Sequence, residues 1–284
     1  MAPPAFSDIA KPTNDILGKD FYHLAPLSFD IKTTAPNGVT FTTKGKSANG
    51  KTSASLESKW SDKASGLTLT QGWNTANSLD TKIELTDALS PGLKSELVTG
   101  LIPNGKRSVK LNLFFSQPSI NARAFIDLLK GPIFIGDFTV GQDGFTTGAS
   151  VSYDVKAATL TGYSAAFGYK APSYALSLTT TSNLSVFTAG YYHKVLPQVE
   201  VGAKGTFDSK SSNASNPVAI EVASKYTLDS SAFVKAKLAD SGLLTLAYSQ
   251  NLRPGVKLGL GGAFDINNIG EAAHKVGASL SFSA

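Results

Sequence analysis

Apolar and polar side chains alternate one by one along nearly the whole chain, from residue 25 to the C-terminus. Leu27, Phe29 and Ile31 alternate with Ser28, Asp30 and Lys32, and Val109, Leu111, Leu113 and Phe115 alternate with Lys110 and Asn112. Val199, Val201 and Ala203 likewise oppose Glu200 and Lys204. Successive residues of a strand point to opposite faces, so this period dictates sheets with one apolar and one polar face. Turn signals divide the pattern: Pro36-Asn37-Gly38, Asn49-Gly50, Pro91-Gly92, Asn104-Gly105, Asp143-Gly144, Asp240-Ser241-Gly242 and Pro254-Gly255.

Nineteen such segments start near residues 25, 38, 52, 66, 78, 93, 108, 121, 133, 145, 158, 173, 184, 198, 217, 232, 243, 256 and 275. Spread over residues 25 to 284 they leave roughly 14 residues per strand and turn, which accommodates a membrane strand of about 10 residues with a short hairpin. Soluble strands average about 5–6 residues. No Pro- or Ser-rich linker longer than the loop at 209–217 breaks the meander. A transmembrane barrel and a soluble sandwich share the alternation, and strand length and the missing linker favour the barrel. Trp60, Trp73, Tyr153, Tyr169, Tyr174, Tyr192 and Tyr226 fall near segment ends, as interfacial girdles would, although ordinary sheet packing places aromatics there too.

Hydrophobic residues make up 42% of the 284, which excludes a disordered chain, while only 17% are charged. The absence of cysteine excludes disulfides, iron–sulfur clusters and thiolate zinc sites. The longest run without Asp, Glu, Lys or Arg, 171–193, holds nine Ser, Thr or Asn residues and is no spanning helix. The opening residues show neither a signal peptide nor an Arg-rich transit peptide. Phe6, Ile9, Ile16, Leu17 and Phe21 instead follow helical spacing, and Pro12 restricts the helix to about Pro12 through Gly18 or Lys19. A helix this short needs support from packing. The expected division is an N-terminal helical segment, 1–24, packed in a pore, and a transmembrane barrel, 25–284.

Little in the chain suggests catalysis. His23, His193 and His274 lack metal-ligand spacing, and Phe264 stands where Gly255, Gly259, Gly261 and Gly262 would need a further glycine to form a dinucleotide loop. Asn183-Leu184-Ser185 and Asn213-Ala214-Ser215 are formal glycosylation sequons without a secretory signal. No enzyme activity, cofactor or metal is expected. The polar face carries Lys32, Lys44, Lys46, Lys59, Lys82, Lys94, Lys110, Arg123, Lys204, Lys225, Lys235, Lys237, Lys257 and Lys275 against fewer acids, Asp30, Glu57, Asp80, Glu84, Glu96, Asp127, Asp137, Glu200 and Glu221. If that face lines a water-filled lumen, its basic excess attracts anions; a solvated sheet surface would read the same way.

Several longer motifs stand in a recognisable order. They are Pro4-Ala5-Phe6-Ser7-Asp8-Ile9-Ala10-Lys11, then Lys19-Asp20-Phe21-Tyr22-His23, Leu69-Thr70-Gln71-Gly72-Trp73-Asn74, Pro91-Gly92-Leu93-Lys94, Leu252-Arg253-Pro254-Gly255-Val256-Lys257-Leu258-Gly259, and the ending from His274 to Phe282. Together they resemble the mitochondrial porin family, the voltage-dependent anion channels, and look most like its fungal members. The resemblance implies an all-β transmembrane barrel of about 19 strands with a short N-terminal α-helix inside the lumen. It implies a multi-pass mitochondrial outer-membrane channel, voltage-gated and weakly anion-selective, passing ATP, ADP, phosphate and small metabolites. Lys11, Lys19 and Lys94 match positions that face nucleotides in the family, whereas Asn14 stands where animal members often have a basic residue. Gln71 stands where some animal members have a lipid-facing glutamate. Lys275, Gly277, Leu280 and Phe282 fit the signal read by the outer-membrane insertion machinery. Implied partners are membrane lipids, permeant nucleotides and metabolites, the import and insertion machinery, and further copies of the chain in a homo-oligomer; no nucleic acid is implied. Two alternatives share parts of the pattern. A protein-import barrel of the same membrane would carry a longer N-terminal region and a more acidic lumen, and a soluble all-β binding protein would purify without detergent.

Overall fold

The computed structural model describes every residue except 1, 49, 89, 104, 106, 130, 132, 212–216, 271–273 and 284. Asn49 and Asn104 of the expected turns, and the sequon at 213–215, lie outside the described residues. The N-terminal segment forms a 3-10 turn at Phe6–Asp8, helix α1 at Lys11–Gly18 and a second 3-10 turn at Tyr22–Leu24. Pro12 falls in the first turn of α1, where its missing N–H breaks no helical bond.

Nineteen strands follow among the described residues: β1 Leu27–Thr34, β2 Thr40–Ala48, β3 Lys51–Asp62, β4 Leu67–Asn74, β5 Leu79–Thr86, β6 Leu93–Leu101, β7 Arg107–Gln117, β8 Ile120–Asp127, β9 Ile133–Gln142 and β10 Phe145–Asp154. The series continues with β11 Thr159–Lys170, β12 Tyr174–Thr181, β13 Val186–Leu196, β14 Val199–Asp208, β15 Val218–Thr227, β16 Ala232–Ala239, β17 Leu243–Arg253, β18 Val256–Asp265 and β19 Lys275–Ser283. At the tightest turns the chain supplies residues that tolerate left-handed backbone. Asp143 and Gly144, with φ of 53° and 86°, form the two-residue connection between β9 and β10.

Each strand bonds to its chain neighbours, and β1 also pairs with β19, so the sheet closes on itself. Neighbours are antiparallel from β3 to β10 and from β12 to β19. The remaining connections are too short for the crossover that a parallel pair requires. With an odd number of alternating strands, β1 and β19 run the same way, and the seam between them is parallel. Ala278 N donates to Pro26 O at 3.1 Å there. Closure removes every free sheet edge, which is what allows a sheet to cross a bilayer.

The apolar face is turned outward. Leu176 and Leu178 are 47% and 49% exposed, and Ile220 and Val222 are each 50% exposed. A sandwich would bury such side chains against a second sheet, so this exposure excludes the soluble reading. The buried apolar residues are Ile9, Ile16, Leu17 and Phe21 of the N-terminal segment together with wall alanines. Among the described residues no helix is long and apolar enough to cross a membrane.

The chain divides into two compact units, residues 1–8, 32–44 and 53–166, and residues 9–31, 45–52 and 167–284. In the first, the opening residues lie on the polar face of β8–β10. Thr139 Oγ1 donates to Pro4 O at 2.8 Å and Asn121 Nδ2 to Pro3 O at 3.3 Å. In the second, α1 lies on the polar face of β13–β15. Ile16 and Leu17, each 3% exposed, pack with Ala223 and Tyr192. This is possible because Gly190 and Gly202 leave space. A side chain on Gly190 would stand 3.1 Å from Thr13 Oγ1, and one on Gly202 would collide with Ile16.

Candidate functional site in the barrel interior

Register decides what each inward charge can do. Glu84 and Glu96 sit directly opposite each other on β5 and β6, an unfavourable like-charge pair on its own. Lys94 resolves it, with Nζ at 2.6 Å from Glu84 and 2.7 Å from Glu96, and Lys82 adds a contact to Glu84 at 3.3 Å. Both glutamates are buried. Lys94 therefore faces the lumen with its charge divided between two carboxylates. Arg123 on β8 is paired in register with Asp137 on β9 and holds it through Nε at 2.9 Å and Nη2 at 2.8 Å. Its Nη1 reaches Ser7 Oγ at 3.2 Å, tying the opening residues to the wall.

The second unit carries a lattice of the same kind. Glu221 receives Lys204 at 2.7 Å and Lys237 at 3.4 Å, and Glu200 receives Lys225 at 3.1 Å and the Tyr192 hydroxyl at 3.0 Å. Lys235 is different: it is 3% exposed, and its Nζ bonds the carbonyls of Asp15 and Lys19 at the end of α1. Lys32, Lys46, Lys59 and Lys110 lie on the same polar face, exposed and outside these clusters. On α1, Lys11 is exposed, and Lys19 pairs with Asp15 at 2.8 Å while remaining 58% exposed. The basic residues expected to line the lumen thus separate into open cations and cations bound in wall or helix contacts.

At the chain's end, Lys275 and Gly277 point inward from β19 while Leu280 and Phe282 point outward. Gly277 and Gly261 face each other across β18 and β19. A side chain on Gly277 would run into the carbonyls of Tyr22 and Ala25, and one on Gly261 would stand 2.8 Å from Tyr22 N. The turn Tyr22–Leu24 is thus seated on glycine. His23 there has a buried Nδ1 without a hydrogen-bond partner, and its pKa is pushed below the ordinary imidazole value by burial first and then by Lys237 and Lys275. Sequence reasoning missed this seat. Glycine does recur at polar-face positions of strands whose apolar face stays regular, and Gly148, Gly168, Gly190, Gly202 and Gly261 meet Phe6, Ile9, Thr13, Ile16 and Tyr22 in turn, but that recurrence alone does not name the seat.

A closed ring with an apolar exterior, a charged interior and a helix laid on that interior defines a membrane β-barrel pore. The family profile described as eukaryotic porin matches residues 2–277, and the chain belongs to that family. It is 58% identical over 286 residues to the mitochondrial outer membrane protein porin of Candida albicans, with all of both chains covered. It is 52% identical to the protein of the same name in Neurospora crassa, with 99% of each covered. It is also 45% identical to non-selective voltage-gated ion channel 1 of Saccharomyces cerevisiae, again over all of both chains. Among solved structures, a mutant Rhodopseudomonas blastica porin superposes with a TM-score of 0.52 at 9% identity, covering 84% of this chain and 89% of that one. That likeness concerns the fold.

Proposed function

We propose that the chain is a voltage-gated channel of the mitochondrial outer membrane that passes ATP, ADP, phosphate and other small metabolites with a weak preference for anions. It is a pore and not an enzyme. The observation that carries the reading is the closed ring with an apolar exterior and open lysines on its inner face, Lys32, Lys46, Lys59 and Lys110. Fixed cations along a water-filled path raise the local concentration of anions. Lys11 and Lys19 add charge on α1, and Lys94 contributes through a shared cluster. The import-barrel alternative gains no support from relatives that match over full length and carry porin or voltage-gated channel names. Recognition of Lys275, Gly277, Leu280 and Phe282 by an insertion machinery, and assembly into homo-oligomers, belong to this proposal.

Single-channel recording in a planar bilayer tests it. Added protein should raise the current in discrete steps, and each step should fall to a lower level as the voltage is increased at either polarity. Insertion without conductance, or conductance independent of voltage, would contradict the reading.

A further inference from the structure

Helix α1 has no basic residue in its own last turn, and its C-cap, Lys19, is already extended, with φ −82° and ψ 155°. The last carbonyls of a helix carry partial negative charge and lack intrahelical partners. Here the Asp15 carbonyl already accepts Lys19 N at 3.1 Å, and the wall adds a cation to this end of the helix. Lys235 on β16 sends its Nζ to Lys19 O at 2.8 Å and to Asp15 O at 3.2 Å, and the same ammonium lies 4.8 Å from the centre of the Phe21 ring. Asp15, Asp20, Lys19, Glu200 and Lys225 line the chamber of about 470 Å³ beside it. Two residues along, Lys237 shares the Phe21 ring at 5.6 Å but gives its charge to Glu221.

We infer that Lys235 is a positioning residue that caps α1 from the barrel wall and holds its C-terminal end in place, rather than an open charge for permeating anions. A helix of eight residues has little stability of its own, so a charged cap at one end and the glycine floor beneath it determine whether it stays docked. The inference rests on the channel reading only for its conductance readout.

The chain has no cysteine, so Thr13→Cys introduces a single thiol on the wall-facing side of α1, at a position 2% exposed. The full chain in lipid vesicles is treated with a water-soluble thiol reagent without applied voltage. Hydrogen bonds to a charged group are worth about 1.5–3 kcal/mol, so adding Lys235→Met should speed labelling about tenfold or more. Lys235→Arg, which keeps charge and donors, should restore slow labelling, and Lys237→Met, which removes the same charge, should leave it slow. If Lys235→Met does not assemble, Lys235→Gln takes its place with the same expectation. Unchanged labelling in the Lys235 variant, equal acceleration in the Lys237 variant, or failure of arginine to rescue would overturn the inference. In bilayers the Lys235→Met channel should show an unsteady open current.

Discussion

Lys94 holds Glu84 and Glu96 together across β5 and β6 at 2.6 and 2.7 Å. Replacing Lys94 with Met leaves two buried carboxylates facing each other. Breaking a buried pair costs about 3–5 kcal/mol, but the Lys94 side chain is 38% exposed, so the expected loss is nearer 1–2 kcal/mol. Thermal loss of β-structure, followed by circular dichroism in detergent, should move to lower temperature; no change would mean that the cluster is held by other contacts. Gly202→Val is expected to act on packing alone, because its side chain would occupy the place of Ile16. Losing that burial removes about 1.5–3 kcal/mol from helix docking. Proteolysis of the N-terminal segment should accelerate about tenfold while the barrel remains resistant, and equal cleavage of both proteins would show that the helix is not seated there. The alternation places Gln71 on the apolar face between Leu69 and Trp73, where the structure also has it. The sequence does not disclose the role of Lys235, because its partners lie 216 and 220 residues away and are backbone carbonyls, which leave no mark on residue type.

The strands were readable as elements because each repeats one local rule, and the nineteen expected starting points fall within two residues of those observed. Pro12 and the apolar spacing around Ile16 likewise located α1. The seat of the turn Tyr22–Leu24 was hidden, since it arises only where Gly261 and Gly277 are brought together by strand register. That seat has a pH dependence. His23 has a folded-state pKa below the ordinary value of about 6.5, so it binds fewer protons folded than unfolded. Its contribution is fully present above about pH 6.5 and is lost as pH falls through the lower folded value. Protease protection of the N-terminal segment should therefore weaken on mild acidification, and His23→Gln should reduce that pH dependence. A pH dependence identical in the variant would place the titrating group elsewhere. Deleting residues 1–20 removes α1 and the Ser7 contact to Arg123 but none of the nineteen strands. The truncated chain should still insert and conduct, with weakened voltage-dependent closure and altered selectivity; normal closure would move the voltage sensor to the barrel wall.

Across the whole molecule, one closed sheet turns its apolar face outward and leaves Lys32, Lys46, Lys59 and Lys110 open on its inner face. Composition pointed that way, with a net charge of +5, but charge counting alone does not distinguish cations bound to glutamates from those facing water. Cross-strand register makes that distinction and predicts a modest rather than a strong selectivity. The reversal potential of the open channel under a gradient of potassium chloride across a planar bilayer reads this anion preference. The potential should favour chloride and shrink as total salt rises, because the screening length falls from about 10 Å at 0.1 M to about 3 Å at 1 M. An open state that prefers potassium would contradict it.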